Sequence, residues 1–253
     1  MPRTAREKSE SGIYHIMLRG INQQTLFEDE EDNEKFIDIL EKYQEEINYK
    51  IYAYCLMGNH VHLLMKEGKE ELSNTMKRIG ASYVYWYNWQ YSRKGHLFQD
   101  RYKSEAVEDD RYFLTVLRYI HQNPIKAGIV KDIGAYEWSS YQEYIGGKRI
   151  VDTEFVLNMW DSDRNKSKQD FIIFNRETSN DECLEVTEAR KTISDKEIKE
   201  LVMSKYRLVL SSLQNQPEET QKEVLKYLKK IEGSSLRQIS RLTGFTVNKI
   251  YRS

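Results

Sequence analysis

The chain predicts an α+β fold: a ferredoxin-like βαββαβ domain with an antiparallel sheet, followed by a small all-α helix-turn-helix domain. Three observations carry this reading. Apolar patterns of strand period and helical period alternate in the order strand, helix, strand, strand, helix, strand, with a further helix after them. A Gly58-Asn59 pair stands between the second and third strands, where a tight turn is needed. The final stretch, Ser234 to Ser253, reads helix, Gly244, helix.

Taken in order, Gly12 to Gly20 is the first strand, with a glycine at each end. Glu28 to Asp32 place negative charge where a helix N-terminus favours it, and Phe36, Leu40, Tyr43 and Ile47 keep one face of that helix apolar. Lys50 to Met57 and His60 to Lys66 are the middle strands. Glu70 to about Tyr91 is the second helix, with Leu72, Met76, Ile79, Tyr83 and Trp86 in register. Arg101 to Val107 is the fourth strand. Glu108-Asp109-Asp110 opens a third helix, expected to end near Asn123 because Pro124 disfavours helical geometry in the residue before it. Gly146 and Gly147 close a first domain over residues 1–150. Residues 151–190 carry little periodicity and read as a linker. Residues 191–253 read as a helical domain: Ser194–Arg207, Thr220–Ile231, and a helix-turn-helix over 234–253 with Leu236, Ile239, Leu242, Val247 and Ile250 inward.

Bulk properties exclude several classes. Of 253 residues 31% are charged, the formal net charge is −1, and no apolar run approaches a membrane span. The N-terminal eleven residues lack the apolar core of a signal peptide. Two cysteines, Cys55 and Cys183, build neither a disulfide framework nor a zinc knuckle. A reducing cytoplasm is the expected location. The charge distribution says more than its sum. From Gln216 onward eight Lys/Arg face four Asp/Glu, and from Met76 to Lys103 six face the single acid Asp100, among many aromatics.

The chemistry centres on Met57-Gly58-Asn59-His60-Val61-His62-Leu63-Leu64-Met65. Side chains two apart in a strand share a face, so His60 and His62 stand together with Val61 opposed. Two imidazoles so placed can hold one divalent ion and leave positions open for substrate oxygens. A satisfied polar strand face is the plainer reading of the same spacing. The second segment is Arg118-Tyr119-Ile120-His121-Gln122-Asn123-Pro124, at the end of the third helix. Phe113, Leu117 and Ile120 form its buried stripe. Tyr119 falls on the flank, outside the core, with Asn123 beside it one turn on. Packing for Tyr119 and helix capping for Asn123 are the plainer alternatives.

Four segments now stand in order: Tyr14-His15-Ile16-Met17-Leu18-Arg19-Gly20, Gly58-Asn59-His60-Val61-His62, Leu97-Phe98-Gln99-Asp100-Arg101-Tyr102, and Arg118 to Pro124. Together they resemble the single-tyrosine HUH transposases, particularly the REP-associated tyrosine transposases, over about residues 10 to 145. The resemblance implies that Tyr119 is the nucleophile that cuts one DNA strand. It implies that His60 and His62 hold the metal, Mg²⁺ or Mn²⁺. Asn123 takes the place of the polar third ligand, where members commonly carry Gln, and Gln122 is the fallback. Arg19, Arg93, Lys94, Arg101 and Lys103 are expected at hairpin or single-stranded DNA. Arg241, Asn248 and Lys249 are expected at duplex DNA through the C-terminal helix pair. His15 reads as structural; His96 and His121 stay open, as does monomer or homodimer.

The expected activity is a metal-dependent single-strand DNA endonuclease and strand transferase, a transposase acting on hairpin-containing DNA through a 5′-phosphotyrosine. No phosphate-binding P-loop occurs in the chain, in keeping with chemistry that conserves the phosphodiester energy. The alternatives are a DNA-binding regulator with an idle transposase-derived domain, an RNA-binding sheet, and a metal hydrolase using water. The last predicts cleavage that survives Tyr119→Phe.

Overall fold

The computed structural model describes residues 7–147, 149–179, 183–184, 193–231 and 233–252, which fall in two compact units, Met1–Glu185 and Val186–Ser253. The first is built on a four-stranded antiparallel sheet in the order β2-β3-β1-β4, with β1 Ile13–Arg19, β2 Lys50–Met57, β3 His60–Lys66 and β4 Lys103–Ala106. Helices α1 Glu30–Ile47 and α2 Leu72–Gln90 complete the ferredoxin-like order.

Local signals explain the boundaries. Asp29 caps α1, accepting from Asp32 N while the Asp32 carboxylate accepts from the Asp29 N–H, a reciprocal capping box. Asp109 caps α3 Asp110–Lys126 by accepting from Tyr112 N. The Gly58-Asn59 turn is anchored from outside the hairpin: Gly20 N donates to Asn59 O and Leu26 N to Gly58 O. A Cβ at Gly20 would stand 2.0 Å from the Gln24 carbonyl oxygen, so only glycine lets the chain leave β1 on this path.

Both sheet faces are buried. Leu18 lines one hollow with Met76 and Gly80 of α2, which places α2 on the face of the even-numbered β1 residues. The opposite face carries His15, Met17 and Arg19, paired in register with Leu64, His62 and His60. Helix α3 packs on that face against β2 and β3. Behind it lie α4 Tyr141–Ile145, α5 Thr153–Leu157 and α6 Arg164–Arg176. This layer also closes the outer edge of β2, where Leu56 N donates to Trp138 O and Ser140 N to Tyr54 O.

Three expectations need correction here. Residues 151–177 are not linker: Val156, Leu157 and Phe171 are fully buried in the core of the first unit, while residues 180–182 and 185–190 of the expected linker lie outside the described residues. The segment escaped notice because its apolar residues are few and lie on two short helices. Pro124 does not end α3 but sits inside it. It removes one donor only, and the turn is held because Pro124 itself is buried and its carbonyl accepts from Ile129 N. Tyr119 is not on an uncovered flank; it is 4% exposed. Sheet on one side and α6 on the other widen the buried surface of α3 to include Tyr119, His121 and Gln122.

The second unit holds α7 Asp195–Tyr206, α8 Glu218–Lys230, α9 Leu236–Thr243 and α10 Val247–Arg252 around a small core that includes Ile198, Val224, Leu228, Ile239 and Ile250. Gly244 ends α9 at φ +75°, the left-handed geometry glycine accepts without strain. Val247, expected inward, is exposed, and Phe245 in the turn is buried in its place. Side-chain periodicity does not carry across a turn, which explains that miss.

The layer behind α3 makes a prediction. Phe171 stacks on Tyr144 at 4.2 Å between ring centroids and meets His121 edge-on. Phe171→Ala is expected to cost roughly 3–5 kcal/mol in urea denaturation; a change near zero would show that the segment is dispensable to the core.

Candidate active site

Strand alternation sets His60 and His62 side by side, ring centroids 5.1 Å apart and nearly perpendicular. From the facing helix the Tyr119 ring approaches His62 edge-on at 5.6 Å. One turn later Asn123 reaches His60 with a side-chain hydrogen bond and donates from Nδ2 to Tyr119 O. Sheet and helix thus bring together His60, His62, Tyr119 and Asn123, as the sequence reading supposed.

The imidazoles are oriented from behind. His60 Nδ1 lies 2.7 Å from Asn59 Oδ1; an amide oxygen only accepts, so Nδ1 carries the proton and Nε2 is left bare. His62 Nδ1 lies 3.0 Å from His15 Nε2. Both Nδ1 atoms are therefore engaged, the pattern found where histidines present Nε2 to a metal. The donor set of two imidazoles and a neighbouring amide fits a Mg²⁺- or Mn²⁺-sized ion, with imidazole favouring Mn²⁺. Among the described residues no group of three or more His, Cys, Asp or Glu forms a metal cluster. Asn123, which bonds His60, could complete such a set.

Burial keeps these rings neutral. It lowers His60 to about 4, aided by the nearby Arg19 charge and opposed by the Asn123 hydrogen bond. Burial also depresses His62 well below its usual range, with His15 and His60 adding to it, and takes His15 to about 3.

Several readings change. Gln122 is not a fallback ligand: its amide donates to Asn175 O and Glu177 O, away from the histidines. His121 is structural, fully buried with Nδ1 on Asn175 Oδ1 and Nε2 on Ser140 Oγ. His96 is exposed in the loop after α2. His15, read from sequence as structural, lies inside the site. Alternation along β1 placed it on the face of Arg19, but only the pairing of β1 with β3 puts that face beside His62.

The basic candidates divide. Arg19 faces His60 across the β1–β3 ladder. Lys94, Arg101 and Lys103 are exposed, and Arg101 lines the hollow on the α2 side. Arg93 is half-buried, bonded to Gln24 Oε1 and lying over the Tyr87 ring. On the outer side of α2, Tyr85 and Trp89 are 79% and 71% exposed, whereas Tyr83 and Tyr87 are core. In the second unit Arg241 is held bidentate by Asp195. Lys249 bonds Gln221 and covers the Phe245 ring, and Asn248 is exposed.

With this geometry in hand, comparison with known proteins shows what the chain is similar to. Residues 8–123 match the family model described as Transposase IS200 like. Similarity also runs to the REP-associated tyrosine transposases. A Haemophilus influenzae protein of that description is 24% identical over 108 residues, covering 38% of this chain and 61% of the relative, so the chain spans about three fifths of that relative's length. A solved REP-associated tyrosine transposase, bound to a REP hairpin, shares the fold at TM-score 0.51 and 17% identity, over 57% of this chain and 86% of that one. A transposase structure from Deinococcus radiodurans aligns at TM-score 0.35 and 16% identity, over 48% and 97%. No described helix is long and apolar enough to cross a membrane.

The buried histidines make stability depend on pH. His60 and His121, each held near 4 against an ordinary value of 6.5, take up protons on unfolding, so stability present above pH 6.5 is lost as pH falls toward the folded values. For His60 alone this amounts to about 3 kcal/mol by pH 4. Urea midpoints are expected to hold steady above about pH 7 and fall steeply between about 6.5 and 5, where most carboxylates are silent. A flat profile there would contradict the burial.

Proposed function

We propose that the first unit is a metal-dependent single-strand DNA endonuclease and strand transferase, a transposase that acts on hairpin-containing DNA through Tyr119. One observation carries the reading: two imidazoles with oriented Nε2 atoms, an amide and a phenol ring converge from β3 and α3 on one buried face. A divalent ion held by His60, His62 and Asn123 would draw charge from the scissile phosphate and bind its oxygens.

The chain's own residues do the rest. A free phenol, with a pKa near 10, is a weak nucleophile at neutral pH, so Tyr119 must be aimed rather than merely present. Ring contact with His62 does this. Tyr119 Oη bonds to phosphorus as the phosphorus–O3′ bond breaks; the phenol proton passes to solvent and the leaving O3′ takes one up. A 5′-phosphotyrosine and a free 3′-hydroxyl result, and reversal rejoins strands without a nucleotide cofactor. Arg19, beside His60, supplies a cation for the phosphate. Lys126, whose ammonium lies 4.8 Å from the centre of the Tyr119 ring, supplies another.

The near-complete burial of Tyr119 favours a second reading, a DNA-binding regulator whose transposase-derived domain is idle. Incubation with labelled hairpin oligonucleotide and Mn²⁺ separates the two. Active protein is expected to form a covalent adduct, lost in Tyr119→Phe and cut by at least about 100-fold in His62→Ala, with hairpin binding retained. Absence of any adduct supports the regulator; cleavage surviving Tyr119→Phe supports a water-using hydrolase.

For the second unit we propose duplex DNA binding through α10, resting on exposed Asn248 and Lys249; Arg241, committed to Asp195, ties α9 to the start of α7 instead. Lys249→Ala is expected to lower the slope of log affinity against log salt by about 0.9, one phosphate's worth. An unchanged slope removes Lys249 from the interface.

A further inference from the structure

His15 lies on β1 with no exposed surface and touches both halves of the site. Its Nε2 is 3.0 Å from His62 Nδ1, and the two ring centroids are 5.2 Å apart. The Tyr119 ring meets it edge-on at 5.8 Å. With the 5.6 Å contact of His62 and Tyr119, the three rings close a triangle. Strand register is the cause: His15 pairs with Leu64, so His62 is its diagonal neighbour on the same face, within reach of two imidazoles.

Proton placement gives this contact a direction. A neutral imidazole has one donor and one acceptor nitrogen, so one of these rings donates and the other accepts. If His62 is to offer a bare Nε2 to a metal, its proton sits on Nδ1 and His15 Nε2 accepts it. His15 then carries its own proton on Nδ1, a buried atom without a hydrogen-bond partner among the described residues. The reverse arrangement protonates His62 Nε2 and closes it to metal. An unpartnered buried nitrogen costs stability that an aliphatic residue, such as the neighbouring Leu64, would not. The contact with His62 Nδ1 is therefore what the His15 side chain supplies at this position.

We infer that His15 is a positioning residue: it locks His62 in the tautomer that presents Nε2 and forms the wall against which the Tyr119 ring is set. The inference rests on the metal-dependent reading above.

Two measurements on the full-length protein test it. With ¹⁵N-labelled histidine, NMR of the wild type, metal-free and Mg²⁺-loaded, is expected to show His62 protonated on Nδ1. Mn²⁺ binding followed by electron paramagnetic resonance is expected to weaken roughly 10- to 100-fold in His15→Leu, as for other partners of metal-bound histidines. His15→Gln, whose side-chain oxygen can accept the same proton, is expected to recover most of that affinity. Protonation of His62 on Nε2, or unchanged Mn²⁺ affinity in His15→Leu, overturns the inference. Failure of the wild type itself to bind Mn²⁺ overturns the metal-dependent reading, and the tautomer then decides the case of His15 alone.

Discussion

The antiparallel pairing of β1 with β3 is the constraint on which the rest of the structure depends. Side chains alternate with a period of two, so a slip of one residue between the two strands would put His15 and the His60–His62 pair on opposite faces of the sheet. The register is held at one end by the Gly58-Asn59 turn and by the hydrogen bond from Gly20 N to Asn59 O. Gly20 has no room for a side chain, so the chain leaves β1 by a single path and the ladder above it stays in place. His15, Arg19, His60 and His62 share a face as a consequence.

That face holds polar rings where a sheet of this size would ordinarily pack aliphatic ones, and burial drives their charge out. The cost is contained by partners: Asn59 for His60, His15 for His62, Asn175 and Ser140 for His121. The aromatic layer of Tyr141, Tyr144 and Phe171 presses α3 onto the sheet from behind. Under the proposed function, rigid support of this kind is what Tyr119 would need as a nucleophile, because misplacement costs more than altered strength. Lys126 over the ring and Arg19 beside His60 put positive charge on the two flanks where a phosphate would enter.

Much of this was legible in the residues. Strand alternation, the Gly-Asn turn and the acidic helix caps locate β1 to β4 and α1 to α3 within a few residues, because each rests on interactions between near neighbours in sequence. The pairing of His60 with His62 follows from strand geometry alone. The region from 151 to 177 was misread because its apolar residues are sparse and acquire meaning only beneath α3. Tyr119 was placed on an open flank for the same reason: a helix wheel shows one stripe, and α3 is covered on two sides.

What the sequence determined by itself is therefore the set of local geometries: which side chains share a strand face, where helices begin, and that Tyr119 and Asn123 lie a turn apart. What only the tertiary structure decided is which of those faces meet. The placing of Asn123 rather than Gln122 beside His60, the contact of His15 with His62 and the burial of Tyr119 all follow from contacts between β1, β3, α3 and α6. Spacing along the chain constrains neighbours within a few residues; it carries no information about which distant face will be brought against them.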